Sequence, residues 1–158
     1  VPIQITDLID KVRHKLQPLA AMKGIIISYI TDGDFTVVGD AMKLQQAFSN
    51  LLDNAIKYSP EDTTITVSVG RDAKNAIITV EDQGIGIAPE EQKKIFERFY
   101  RVDKARSRET GGTGLGLSIV DSIVRQHNGT ISVKSRLGEG SVFTVTLPLQ
   151  TVKNPNSN

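Results

Sequence analysis

The chain has 158 residues, 39% hydrophobic and 23% charged, enough for one domain with its own core. A balance of 19 basic against 18 acidic side chains gives no global pull toward nucleic acid or a membrane surface. The absence of cysteine excludes disulfides and thiolate chemistry and fits a reducing compartment, and two histidines argue against a zinc site. No apolar run is long enough to span a bilayer, no signal peptide is visible, and the start at Val1 fits a piece of a longer chain.

Leu8, Ile9, Val12, Leu16 and Leu19 recur at helical spacing and predict a helix over Thr6–Met22, with Thr6 or Asp7 as cap, a kink or break at Pro18 and a stop at Gly24. Ile25–Ile30 and Phe35–Val38 read as strands joined by the turn at Thr31–Asp34. Asp40 caps a helix running to about Tyr58, with Leu44, Ala47, Phe48, Leu51, Leu52 and Ala55 as its core stripe. Thr64–Val69 and Ala76–Glu81 are strands that pair. Pro89 opens a short helix ending near Arg101, with Glu90 and Glu91 in its first turn. Val102–Thr110 is polar, aperiodic and loop-like. Gly111–Gly116 runs into a helix buried through Leu117, Ile119, Val120, Ile123 and Val124, and Asn128-Gly129 ends it. Thr130–Ser135 and Ser141–Leu147 form a hairpin, and residues 151–158 read as a disordered tail. No repeat is visible. The order α β β α β β α α β β predicts an α+β sandwich with one mixed sheet under helices.

Three stretches carry chemistry. In the first, Asp82-Gln83-Gly84-Ile85-Gly86-Ile87 follows a β-branched strand in which Ile78, Val80 and Asp82 share a face. A carboxylate at the lip of an apolar face, beside glycine backbone, suits a flat hydrogen-bonding ligand such as a purine. The same stretch also fits a plain Asp-x-Gly turn. The second is the glycine-rich run before Leu117. Glycines let phosphate oxygens reach the free N–H groups of a helix N-terminus. The run lacks the Gly-Lys-Ser/Thr ending of a P-loop, and no strand precedes it as a dinucleotide fingerprint requires. A flexible linker is its alternative reading. The third is a polar helix face with Asn50, Asn54 and Lys57 at i, i+4 and i+7. Amide oxygens are hard neutral ligands that suit Mg²⁺, and the lysine suits a phosphate. By itself this face also fits an ordinary solvated one.

Taken together, the stretches resemble the boxes of bacterial sensor histidine kinases. Asn50–Ser59 resembles the N box, Asp82–Ile87 the G1 box, Ile95–Arg101 the F box and Gly112–Leu117 the G2 box. Gly138-Glu139-Gly140 with Phe143-Thr144-Val145 resembles the last glycine box. The similarity covers nearly the whole chain, with five motifs in order, and its wording is closest to the cell-wall- and phosphate-sensing kinases of Gram-positive bacteria.

The resemblance implies the Bergerat ATP-binding fold, a two-layer α/β sandwich, over residues 1–150, with 1–24 partly a connector to a missing dimerisation and phosphoacceptor domain. It implies ATP and Mg²⁺ as cofactors. Asp82 matches the carboxylate that accepts from the adenine amino group; Gly84 and Gly86 match close-approach glycines, with Ile87 beside them. Asn54 matches the main Mg²⁺ ligand and Asn50 a polar residue near the metal and phosphates. Lys57 matches a phosphate-side cation, Tyr58 an aromatic packed by adenine or ribose, and Arg101 a basic residue that reaches the terminal phosphate. Gly112, Thr113, Gly114, Leu115 and Gly116 match the phosphate loop, and Val102–Gly111 a mobile ATP lid. The implied activity is transfer of the γ-phosphoryl group to a histidine on a separate domain, then to an aspartate of a response regulator. Asn50, Lys57 and Arg101 are the catalytic candidates. The implied setting is the cytoplasmic portion of a membrane-anchored receptor, with no direct membrane or nucleic-acid contact, and the isolated domain is expected to be a monomer. The alternatives are a catalytically silent nucleotide-binding or docking module, and a serine kinase of the same fold.

Two features bear on that transfer. Hydrolytic relatives carry a water-activating glutamate four residues before the metal-binding asparagine. Here that residue is Asn50, whose amide cannot accept the proton, so ATP hydrolysis should be slow. His14 lacks the acidic residue that follows an acceptor histidine, and His127 sits at a helix end. Both are expected to be structural or surface histidines.

Overall fold

A computed structural model of the protein describes residues 1–87, 89–92, 95–96 and 116–150. The elements run β1 (Pro2–Gln4), α1 (Ile5–Met22), β2 (Ile26–Thr31), β3 (Thr36–Val38), α2 (Ala41–Tyr58), β4 (Thr64–Arg71) and β5 (Asn75–Asp82). They continue with α3 (Pro89–Gln92), α4 (Gly116–Gln126), β6 (Thr130–Arg136) and β7 (Gly140–Pro148). Five strands form one mixed sheet in the order β2-β4-β5-β7-β6, parallel between β2 and β4 and antiparallel elsewhere. Parallel neighbours need a crossover, and α2 supplies it.

Alternation within the strands sets the layers. Ile65, Val67 and Val69 of β4, Ala76, Ile78 and Val80 of β5, and Phe143, Val145 and Leu147 of β7 all bury toward the helices. The opposite face of these strands carries hydroxyls, and Ser68 and Thr79 hydrogen-bond across it. Helix α2 lies between α1 and α4, and its predicted core stripe is buried throughout. Asp40 caps it as predicted, its Oδ1 accepting from the Lys43 N–H at 3.1 Å. The structure adds Ile56 to that stripe at 0% exposure. Ile56→Ala should therefore lower stability by about 2–5 kcal/mol, read as the shift in urea midpoint at unchanged slope. A loss under about 0.5 kcal/mol, the scale of a surface change, would contradict this packing.

The amino-terminal third departs from expectation. Helix α1 begins at Ile5, behind Gln4, which makes no side-chain cap. Thr6 does not cap either: it is buried, and its hydroxyl donates to Asp34. Pro18 does not interrupt the helix. Leu19 is 38% exposed, while Leu8, Ile9 and Val12 are buried in the common core. β2 and β3 do not pair across the Thr31–Asp34 turn. β2 joins the main sheet, and β3 forms a two-stranded ribbon with β1, a strand missed from sequence, in which Ile3 faces Val37. Three residues are too short a run to announce a strand by periodicity, and Val37 finds its apolar neighbour 34 residues back.

The predicted extension of the Pro89 helix to Arg101 falls mostly outside the described residues. Of that stretch, Ile95 is buried, and the Phe96 ring meets Phe143 edge-on at 6.4 Å between centroids. Arg101, the Val102–Gly111 lid, Gly112, Thr113, Gly114 and Leu115, and the 151–158 tail also lie outside. Gly116 is the first residue of α4. Among the described residues no helix is long and apolar enough to cross a membrane.

Candidate nucleotide site

Asp82 ends β5 on the buried face, 8% exposed, directly opposite Ser141 of β7. Its Oδ1 accepts from the Gly84 N–H at 2.8 Å and the Ser141 N–H at 3.2 Å. Among the described residues no hydrogen bond is made to Oδ2. Burial raises the Asp82 pKa above the ordinary carboxylate value, the two backbone N–H groups oppose that rise, and the neighbouring Glu81 charge adds to it. Among the described residues the result is a fixed carboxylate with one oxygen committed to the fold and the other left as an acceptor.

The two glycines that follow serve close approach, and what they approach is the protein's own backbone. A Cβ at Gly84 would lie 2.6 Å from the Tyr58 carbonyl oxygen at the end of α2. One at Gly86, where φ is +75°, would lie 2.0 Å from the Arg136 carbonyl oxygen. The loop thus sits between the C-terminus of α2 and the β6–β7 hairpin. Gly138 N–H reaches Ile85 O at 2.8 Å, and Ile87 N–H reaches Ser135 Oγ at 2.7 Å. Ser135 in turn donates to Gly140 O at 2.9 Å, while the Gln92 amide donates to Ile87 O at 2.9 Å and Ser135 O at 3.0 Å. Gln83 accepts from Thr64 N–H at 2.9 Å, closing the loop against β4.

Helix α2 supplies the polar flank. Asn50, Asn54 and Lys57 are half-buried, as are Asp53 and Tyr58. The asparagines are one turn apart, about 6 Å along the axis, and Lys57 is a further turn on. Lys57 is not a bare cation: its Nζ pairs with Asp53 Oδ2 at 3.1 Å. Among the described residues no cluster of three or more His, Cys, Asp or Glu side chains is arranged to hold a metal. The donor set offered by α2 is instead two neutral amide carbonyls, which fits a hard ion that keeps its own water and phosphate ligands, as Mg²⁺ does.

The two histidines lie away from this loop. His127 Nε2 accepts from the Asp40 N–H at 3.0 Å and Nδ1 donates to Ile123 O at 2.8 Å, tying the start of α2 to the end of α4. His14 is exposed, with Nδ1 at 2.9 Å from Asp10 O within α1. Sequence reasoning missed Ser141, Ser135, Gln92 and Lys23. Of these only Ser141 carried a local signal, standing next to the Gly138–Gly140 box; the others meet the site through contacts between segments far apart in sequence.

A mixed sheet covered by helices, with a buried carboxylate ending a central strand and an amide-bearing helix ending against its loop, defines a Bergerat-type ATP-binding domain. Comparison with known proteins agrees. The model of the histidine kinase-, DNA gyrase B- and HSP90-like ATPases matches residues 39–151, and the chain belongs to this family. The sensor-like histidine kinase SenX3 of Mycobacterium tuberculosis is 54% identical over 138 residues, covering 86% of this chain and 33% of that protein. The mycobacterial sensor histidine kinase MprB superposes with a TM-score of 0.84 at 30% identity, covering 96% of this chain and 99% of that one. Full-length ShkA in complex with AMPPNP superposes with a TM-score of 0.83 at 30% identity, over 98% of this chain and 32% of that one. The chain spans about a third of the length of curated relatives such as SenX3.

Proposed function

We propose that this domain binds Mg·ATP and presents the γ-phosphoryl group to a histidine on a separate dimerisation and phosphoacceptor domain, from which it passes to a response-regulator aspartate. The observation that carries the reading is Asp82: a buried carboxylate in a chain of this family, with Oδ2 open to an amino group. Asp82 accepts from the adenine amino group, and Gly84, Gly86 and Ile87 hold the loop that places it. Asn54, with Asn50, would hold Mg²⁺, which when bound neutralises phosphate charge. Lys57 moves from Asp53 to a phosphate, and Tyr58 packs by the adenine or ribose. The parts given to Arg101 and to residues 112–116 rest on the resemblance alone.

Most of the catalysis is then positioning and charge neutralisation. The Asn50 amide gives water no base, so turnover of ATP without an acceptor is slow. Residues 1–150 form the catalytic unit, and α1 both packs in its core and leads toward the acceptor domain. The whole protein places this domain in the cytoplasm, and the isolated domain is a monomer.

The test is incubation with γ-labelled Mg·ATP and the acceptor-histidine fragment of the same kinase. Acid-labile label on that fragment is expected. Confirmed ATP binding with no label would reduce the domain to a nucleotide-binding module, and acid-stable label would make it a serine kinase.

A further inference from the structure

The last turn of α2 carries Lys57 and Tyr58, yet the final carbonyls of any helix lack helical partners. Lys23, the C-cap residue of α1, reaches across to them. Its Nζ donates to Ile56 O at 2.9 Å, Lys57 O at 3.3 Å and Ser59 O at 2.6 Å. An ammonium has three donors, and here three carbonyls surround it at the negative end of a helix dipole.

The backbone around this contact is tied down as well. Asp62 N–H donates to Lys23 O at 3.0 Å and Ile26 N–H to Thr63 O at 3.1 Å. On the other side of the same turn, the Tyr58 carbonyl abuts Gly84, two residues from Asp82. The end of α2 is therefore gripped between the α1–β2 junction and the Asp82 loop.

We propose that Lys23 is a positioning residue for the nucleotide site: its ammonium fixes the last turn of α2 against Gly84 and so sets where Lys57 and Tyr58 stand relative to Asp82. The proposal rests on the Mg·ATP reading above and extends it to a residue outside every glycine or asparagine box. A planar guanidinium cannot meet three convergent carbonyls as an ammonium does, so arginine should restore the function only in part.

The experiment compares wild type, Lys23→Met, Lys23→Arg and Asp82→Asn for Mg·ATP affinity by calorimetry, for thermal unfolding, and for the Gly84 and Tyr58 amide resonances. Methionine keeps an unbranched apolar stem and removes all three donors. Lys23→Met is expected to bind roughly tenfold or more weakly while still folded at the assay temperature, the scale of a lost hydrogen bond to a charged group. Its Gly84 amide resonance should move, and Lys23→Arg should recover part of the affinity. A folded Lys23→Met with wild-type affinity and an unmoved Gly84 resonance would overturn the proposal and leave Lys23 a purely structural cap. Should the methionine variant not fold, Lys23→Gln, with two amide donors, carries the same comparison. If wild type does not bind Mg·ATP, or Asp82→Asn binds it equally well, the nucleotide reading itself falls and this proposal with it.

Discussion

Replacing Asp82 with Asn is expected to weaken Mg·ATP binding by about 100-fold, the scale of a hydrogen bond to a charged group plus a misplaced donor. The thermal midpoint at neutral pH should stay the same or rise. The two effects part because the two carboxylate oxygens have different work. Oδ1 holds the Gly84 and Ser141 N–H groups, and an amide oxygen can hold both. At the Oδ2 position asparagine puts an NH₂, which meets the adenine amino group donor to donor. Stability moves the other way because burial raises the Asp82 pKa. The folded state then holds that proton more tightly than the unfolded chain. Between the ordinary carboxylate value and the raised one, stability falls as pH rises, and above both the full penalty is present. Asparagine carries no such penalty. The gap between variant and wild type should close as pH drops below the ordinary carboxylate range. Calorimetry with Mg·ATP and thermal melts across pH check both halves. Undiminished binding would remove Asp82 as the adenine reader, and a large loss of stability at neutral pH would mean that its charge holds the loop together.

Much of this site was legible in the sequence, for a physical reason. The face shared by Ile78, Val80 and Asp82 follows from strand period, and the Asn50–Asn54–Lys57 flank follows from helix period, so each could be placed without any tertiary contact. The structure keeps both: Asp82 is buried, and the flank is half-buried. What period cannot show is which segments meet. The pairing of β3 with β1, the Asp82–Ser141 bond and the Lys23 clamp join residues 34, 59 and 33 positions apart, and no local pattern encodes them. Pro18 failed as a break for a related reason. It removes a single helical hydrogen bond, the one to the carbonyl of His14, and tertiary packing of Leu8, Ile9 and Val12 carries the helix past that loss. Lys57 was legible as a cation and not as one already paired. The Asp53–Lys57 spacing of four residues is a standing invitation to an ion pair, and its partly exposed geometry makes that pair a weak one.

The last glycine box also makes a steep demand on the backbone. Gly140→Ala is expected to lower stability by about 3–5 kcal/mol, a large share of the roughly 5–15 kcal/mol that holds a typical domain together. Two penalties coincide there. At φ +97° an L-residue is strained, and a Cβ would stand 2.1 Å from the Asp82 carbonyl oxygen and 3.0 Å from the Gln83 Cα. Those atoms cannot step aside cheaply, because Asp82 is laddered to Ser141 and the Gly84 N–H is held on its side chain. Gly138→Ala separates the two penalties. It has φ +79° but nothing within 4 Å of the added Cβ, so it should lose only about 1 kcal/mol, from backbone strain alone. Urea midpoints of the two variants give the comparison. Equal losses would mean that the hairpin yields freely and that the close approach of β7 to Asp82 is not a constraint. A loss at least 2 kcal/mol greater for Gly140→Ala, on the order expected for overpacking, would show that this glycine keeps the hairpin against the strand end that places the Asp82 carboxylate.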